Sequence, residues 1–456
     1  MIFETVKSAG LAHKSYFIGS GGVAAVIDPR RDCDVYLEIA ERNNLNIKYI
    51  FETHRNEDYV IGSVELEEIA GAEVYHGEGL DFKYGNFVRE EDKFQLGTIE
   101  LEVLETPGHT RESISITVKD KAVSDDVYMV FTGDALFAGE TGRIDLYGEE
   151  QKESNASQLY ESIHDKILPL GDQVIMCPAH GAGSVCGADI REQELTTLGY
   201  EKKTNNVLSY SREEFIEYKM NEKLYTPPYF KKMEELNLTG PQLLCKLPVL
   251  KVLGVSDFKA VMEDGAQIVD VRNPSSFGGA HIPNTLSIFK NGVPVYAGWM
   301  LNYQNPIVIV DEEGQSMEEV RQYLVRLGYD YIYGYLGRGF PSWYLHAEPI
   351  KKLELWSVHK LKENQFDPSI FILDVRKESD WEKGYVEGAH HIYLGHVKNH
   401  LDEIPQYKKV VVYCDAGNKS TIAASILKQN GYEDVTTVLG SMKAWKAAGY
   451  PVVVGG

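Results

Sequence analysis

The chain has 456 residues, of which 25% are charged and 43% hydrophobic, a balance that fits several folded domains and excludes extended disorder. Its 68 Asp and Glu outnumber 46 Lys and Arg, for a formal charge of −22, so the basic footprint of a nucleic-acid binder is missing. No run approaches the ~20 apolar residues of a spanning helix. Met1 to Ser20 lack the basic start and apolar stretch of a secretion signal, which predicts a cytoplasmic protein with no membrane partner.

Five cysteines, Cys33, Cys177, Cys186, Cys245 and Cys414, are widely spread and form no C-x-x-C pair. That excludes a disulfide framework and a zinc knuckle, so each is read singly. In chain order, the first half alternates strand-like and helix-like runs. Apolar runs at 24–27, 46–51, 100–104, 127–131 and 174–176 each end in a short polar loop. In layered α/β domains such strand-end loops carry the sites. From Arg191 to about Lys246 the pattern is polar and helical, broken at Thr226-Pro227-Pro228-Tyr229, with a linker near Gly240-Pro241.

The remainder repeats itself. The segment around Asp270-Val271-Arg272 matches that around Asp374-Val375-Arg376, and Gly279-Ala280-His281 matches Gly388-Ala389-His390. Asp270 to Asp311 spans 41 positions and Asp374 to Cys414 spans 40. Both copies continue through a Gly-Tyr, a Leu-Gly and a Trp (Trp343, Trp445). This spacing predicts two copies of a roughly hundred-residue α/β domain, not a short-period solenoid.

Three strand-end loops carry His54, His109 and Asp134. Two imidazoles and a carboxylate form a ligand set that leaves coordination positions open for chemistry. Thr53-His54-Arg55-Asn56-Glu57-Asp58-Tyr59, Pro107-Gly108-His109-Thr110, Gly133-Asp134 and Pro178-Ala179-His180 follow one another in order. That order resembles the ligand series of the metallo-β-lactamase superfamily, H-x-H-x-D-H, P-G-H-T, G-D and a final His. His54, Asp58 and His180 match, whereas Asn56 and Tyr59 stand where the second and third histidines belong. The surviving His54, His109 and Asp134 are the set that the persulfide dioxygenase branch uses for a mononuclear non-haem Fe(II). Asp58 and His180 then support the ligands from outside, or Asp58 persists as a relic of the fold. Gly142-Arg143-Ile144-Asp145-Leu146 resembles that branch's G-R-x-D-L segment; Arg143 then binds an anionic substrate group or makes an ion pair at the surface or behind the ligands, and Asp145 supports the site from outside. Cys186, in Gly183-Ser184-Val185-Cys186-Gly187, reads either as a carrier of transferable sulfur or as a buried structural thiol.

Cys414-Asp415-Ala416-Gly417-Asn418-Lys419-Ser420 follows an apolar strand and opens a helix. Backbone N–H groups and a helix N-terminus stabilise a thiolate there and the anionic persulfide formed from it. Gly417 permits the tight loop, and Lys419 adds a cation. The run resembles the active loop of rhodanese sulfurtransferases, C-x-x-G-x-R-S, with Lys419 for Arg and with Gly417, Lys419 and Ser420 lining the substrate. The earlier copy reads Asp311-Glu312-Glu313-Gly314-Gln315-Ser316, where a carboxylate replaces the nucleophile.

The expected architecture is therefore a metallo-β-lactamase αββα sandwich with a helical extension (1–245), an inactive rhodanese-like domain (246–349) and an active one (350–456). The resemblance implies oxidation of a persulfide of glutathione, coenzyme A or bacillithiol by O2, giving sulfite and thiol. Cys414 would then pass sulfane sulfur to sulfite, giving thiosulfate in sulfide detoxification. It also implies a homo-oligomer. A zinc-dependent thioester hydrolase of glyoxalase II type joined to a sulfurtransferase, and a non-catalytic sulfur carrier, are the alternatives.

Overall fold

A computed structural model describes residues 1–187 and 189–455. The chain divides into two compact units, Met1–Leu247 with Val325–Gly328, and Pro248–Leu324 with Tyr329–Gly456. The first unit holds two six-stranded sheets. One is β1 (Ile2–Ser8), β2 (His13–Ser20), β3 (Val23–Ile27), β4 (Asn46–Glu52), β5 (Glu73–Gly77) and β6 (Asn86–Val88), in that spatial order. The other is β7 (Lys93–Leu96), β8 (Ile99–Glu105), β9 (Ile114–Asp120), β10 (Met129–Gly133), β11 (Ile175–Pro178) and β12 (Thr196–Thr197), also in sequence order across the sheet.

The inner faces share one apolar core, in which Ile18, Ile27 and Phe51 of the first sheet meet Leu101, Ile116 and Phe131 of the second. Burial alternates along β8 as a half-buried strand requires. Helices Asp34–Arg42 and Ser63–Ala70 cover the outer face of the first sheet through Tyr36, Ile39 and Leu66. Helices Lys152–Glu161 and Arg212–Met220 cover that of the second through Leu159 and Phe215. The result is the αββα sandwich expected from the sequence. The polar stretch beyond Arg191 folds into three helices, Leu198–Thr204, Arg212–Met220 and Phe230–Thr239.

The second unit holds two five-stranded sheets, each wholly parallel. The first comprises β13 (Lys251–Leu253), β14 (Gln267–Asp270), β15 (Leu286–Ser287), β16 (Ile307–Val310) and β17 (Ile332–Leu336), in the order β13-β17-β16-β14-β15. The second comprises β18 (Glu354–Trp356), β19 (Ile370–Asp374), β20 (Ala389–His391), β21 (Lys409–Tyr413) and β22 (Val435–Val438), in the order β18-β22-β21-β19-β20. The two orders are the same permutation, as a duplication demands.

The repeated residues do the same structural work in each copy. Arg272 forks onto Asp270 and Arg376 onto Asp374, through Nη2–Oδ2 contacts of 2.6 Å. Trp343 Nε1 donates to the Pro349 carbonyl at 2.8 Å and Trp445 Nε1 to that of Pro451 at 2.9 Å. No described helix is long and apolar enough to cross a membrane.

Candidate metal centre and thiol loop

β4, β10 and β11 end at one edge of the sandwich, and the loops that follow carry His54, Asp134 and His180; His109 stands in the loop between β8 and β9. Gly133 has a left-handed φ of 51°, and a Cβ there would lie 2.6 Å from Thr53 Oγ1, so only glycine lets the two loops meet. All four side chains are buried. His54 Nε2 and His109 Nε2 each lie 3.6 Å from Asp134 Oδ2.

The second nitrogen of each imidazole fixes its tautomer. Thr53 Oγ1 donates to Asp28 Oδ2 at 2.7 Å, so it can only accept from His54 Nδ1 at 2.9 Å. His109 Nδ1 lies 2.8 Å from the Arg143 carbonyl, an obligate acceptor. Both rings therefore spend Nδ1 on an outward hydrogen bond and turn Nε2 into the site, where His54 offers a lone pair and His109 does so once its second proton leaves. Neither Nε2 has a hydrogen-bond partner among the described residues. A buried polar atom left so costs about 1–3 kcal/mol, and a cation between these atoms and Asp134 removes that cost. The donor set fits a divalent metal.

Glu57 and Cys186 also enter this cluster. Glu57 Oε1 lies 3.3 Å from His109 Nε2, and its Oε2 is buried without a partner. The Cys186 thiol donates to Glu57 Oε1 at 3.6 Å. His180 Nδ1 lies 2.7 Å from Asp134 Oδ1, and its Nε2 lies 3.0 Å from Asp58 Oδ2, so Asp58 and His180 adjoin the ligands.

Electrostatics follow from burial and charge together. On His54 burial dominates and lowers its pKa to about 4. On His109 burial acts the same way, but Glu57 and Asp134 outweigh it and hold the imidazole at about 9. Burial pushes the Glu57 carboxyl up, yet His109 and His54 bring it down to about 2. Asp134 is likewise driven up by burial and then held well below the usual carboxylate range by His180 and His54. Burial lowers His180, but Asp134 and Asp58 hold it well above its ordinary value. Glu57 and Asp134 are thus balanced by protonated His109 and His180, a cluster that trades protons for a divalent cation. Burial, then Asp58 and Glu57, push the Cys186 thiol well up, which keeps it protonated.

Tyr59 and Asn56 occupy the two positions without histidine. The Tyr59 ring packs 4.0 Å from that of His13, and Asn56 Nδ2 donates to the His54 carbonyl at 3.2 Å. The loop is clamped from the helix Phe230–Thr239. There Asn237 Nδ2 donates to the carbonyls of Asn56 (2.6 Å) and Tyr59 (2.8 Å), and its Oδ1 accepts from Ile61 N at 2.9 Å.

Arg143 is engaged by the protein itself. Nε and Nη2 bind Asp145 at 2.6 and 2.7 Å, Nη1 donates to the carbonyls of Val185 and Tyr225, and Nη2 also reaches Thr226 Oγ1. All five donors are satisfied internally, and Arg143 pins the loops around it, with Asp145 as its ion-pair partner.

In the second unit, Cys414 follows β21 and is buried. Gly417, with φ 104°, turns its N–H onto Cys414 Sγ at 3.2 Å and caps the helix Asn418–Gln429. Lys419 is committed to Asp415, with Nζ 2.5 Å from Oδ2, so the loop carries an internal ion pair where a free cation was expected. The Ser420 hydroxyl is buried; it donates to the Gly417 carbonyl at 3.0 Å and accepts from Thr437 Oγ1. It steadies the loop from within. In the first copy the Asp311 carboxylate accepts from the N–H groups of Gly314, Gln315 (2.9 Å) and Ser316 (3.1 Å). That cradle is filled by the protein's own anion.

The fold and these two sites define a metallohydrolase-like sandwich with a buried histidine–carboxylate centre, joined to tandem rhodanese-like domains. The sequence profile of the metallo-beta-lactamase superfamily matches residues 9–180, and that of the rhodanese-like domain matches 255–346 and 357–448. A crystal structure of a metallo-beta-lactamase from Staphylococcus aureus subsp. aureus COL is 31% identical, covers 74% of this chain and 99% of its own, and superposes with a TM-score of 0.66. The chain belongs to the metallo-beta-lactamase superfamily and carries two rhodanese-like domains. It is 28% identical to the mitochondrial persulfide dioxygenase ETHE1 of Bos taurus, over 48% of this chain and 74% of that protein. It is also 28% identical to the hydroxyacylglutathione hydrolase GloC of Haemophilus influenzae, over 41% of this chain and 87% of that protein.

Proposed function

We propose that the chain oxidises a low-molecular-weight persulfide with O2 at the His54–His109–Asp134 centre, and that Cys414 carries sulfane sulfur to the sulfite so formed. The convergence of two imidazole Nε2 atoms, each turned inward by the hydrogen bond at its Nδ1, on one buried carboxylate carries this reading. Bound there, Fe(II) would supply the electron-transfer chemistry that lets O2 react with sulfur. His54, His109 and Asp134 would hold it, while the Thr53–Asp28 pair and the Arg143 carbonyl keep both rings in the ligating tautomer.

The net reaction is RSSH + O2 + H2O → RSH + HSO3⁻ + H⁺, in which the terminal sulfur gives four electrons to O2. In the transfer step the Cys414 thiolate takes the outer sulfur of a second persulfide and releases thiol. Sulfite then attacks that sulfur, which frees the Cys414 thiolate and yields thiosulfate. The Gly417 N–H and the helix N-terminus stabilise both anionic forms of Cys414. Glutathione, coenzyme A or bacillithiol would carry the substrate sulfur, and Cys186, beside the centre, could hold sulfur in transit.

Zinc-dependent thioester hydrolysis is the second reading, and the similarity to GloC favours it. Against it, Asn56 and Tyr59 remove the two imidazoles that hold a metal pair. The test is oxygen uptake by anaerobically iron-loaded protein given a small-thiol persulfide, beside a His109→Ala variant. Uptake lost in the variant supports the dioxygenase. A protein inert with iron that cleaves a glutathione thioester with zinc contradicts it.

A further inference from the structure

We infer that Glu57 is itself a metal ligand, replacing in chemistry and in place the histidine that Asn56 does not supply. This rests on the reading of the cluster as a metal centre. Asn56 donates its Nδ2 to the His54 carbonyl and keeps its Oδ1 buried without a partner among the described residues, so residue 56 brings neither an imidazole nor a charge to the centre. One position later the chain sends in a carboxylate instead. Glu57 is buried, lies 3.3 Å from His109 Nε2, and keeps one oxygen without any hydrogen-bond partner. Its ligand atom falls within 4.8 Å of those of His54 and His109, and within 4.8 Å of that of Asp134 and the Cys186 sulfur.

Burying an ion costs several kcal/mol unless its lone pairs are met. His109 and a weak thiol donor meet Oε1 of Glu57, but its buried Oε2 has no hydrogen-bond partner among the described residues. A divalent cation at the centre supplies the missing partner.

The consequence is a centre of two histidines and two carboxylates. Such a set neutralises a divalent cation and, in octahedral geometry, leaves two positions open where a 2-His-1-carboxylate set leaves three. Two would suffice for one sulfur and one O2, and would limit an incoming persulfide to a single ligating atom. The hard oxygen of Glu57 also favours Fe(II) or Mn(II) over zinc.

The experiment counts water. Full-length metal-free protein is loaded with one equivalent of Mn(II), and the water molecules bound to the metal are counted from the broadening of its electron paramagnetic resonance lines in ¹⁷O-water. Two are expected in the wild type and three in Glu57→Gln, with Mn(II) affinity falling by roughly tenfold or more, the scale that even partners outside the first ring of ligands produce. Three in both proteins, or no Mn(II) uptake by the wild type, overturns the inference. If Glu57→Gln does not fold, the wild-type count alone decides between two and three. No persulfide enters this measurement, so two waters without oxygen uptake would retire the dioxygenase and leave Glu57 as a ligand. Three waters with uptake would do the reverse.

Discussion

Asp28 shows how one residue ties stability to the site. It sits at φ 49° and accepts from Thr53 N and Thr53 Oγ1, which orient His54. Burial, set against those two hydrogen bonds, raises its carboxyl to about 7. A carboxyl raised above its unfolded value near 4 gives stability that is complete at acid pH and lost as pH rises through about 7. Asn tolerates the left-handed backbone, so Asp28→Asn removes the titration without moving the turn. In urea titrations of metal-free protein, the midpoint of Asp28→Asn should gain on the wild type between pH 4 and 7 and run parallel above; a constant offset would contradict this. Asn237 makes a second case at this scale. Asn237→Ala strands Ile61 N and two carbonyls, a loss of about 3 kcal/mol or more. Equilibrium unfolding measures it, with weaker metal binding as the companion effect.

Among the elements, strand ends were legible because an apolar run followed by a polar loop is a local pattern. The loop residues His54, His109 and Asp134 converge as that pattern implied. Side-chain direction inside an irregular loop is not local, and so Glu57 escaped notice beside the better-matching Asp58. Asn237 escaped because its partners stand about 180 residues away. Arg143 stayed open between an anion site and an ion pair because a sequence displays its five donors but not the Asp145, Val185 and Tyr225 oxygens that use them. The β10 end rests on Gly133, whose missing Cβ admits Thr53. Gly133→Ala should push Thr53 off His54 and weaken metal affinity by roughly 10–100-fold, as titration with Mn(II) would show. Unchanged affinity would mean that Thr53 does not orient the ligand.

Over the whole molecule, the duplicated Asp-x-Arg and Trp motifs predicted two domains of one topology, and both sheets show the same strand permutation. They part at the nucleophile position. Cys414 receives the Gly417 N–H on its sulfur, whereas Asp311 fills the other cradle with a carboxylate. If the two chemistries form one sequence, the second consumes what the first makes. The direct measurement gives iron-loaded full-length protein a small-thiol persulfide, follows oxygen with an electrode, and separates sulfite from thiosulfate. The wild type should consume oxygen and yield thiosulfate; Cys414→Ser should consume oxygen at the same rate and yield sulfite. Thiosulfate undiminished in Cys414→Ser, or no oxygen uptake by wild-type protein with confirmed iron, would contradict the account.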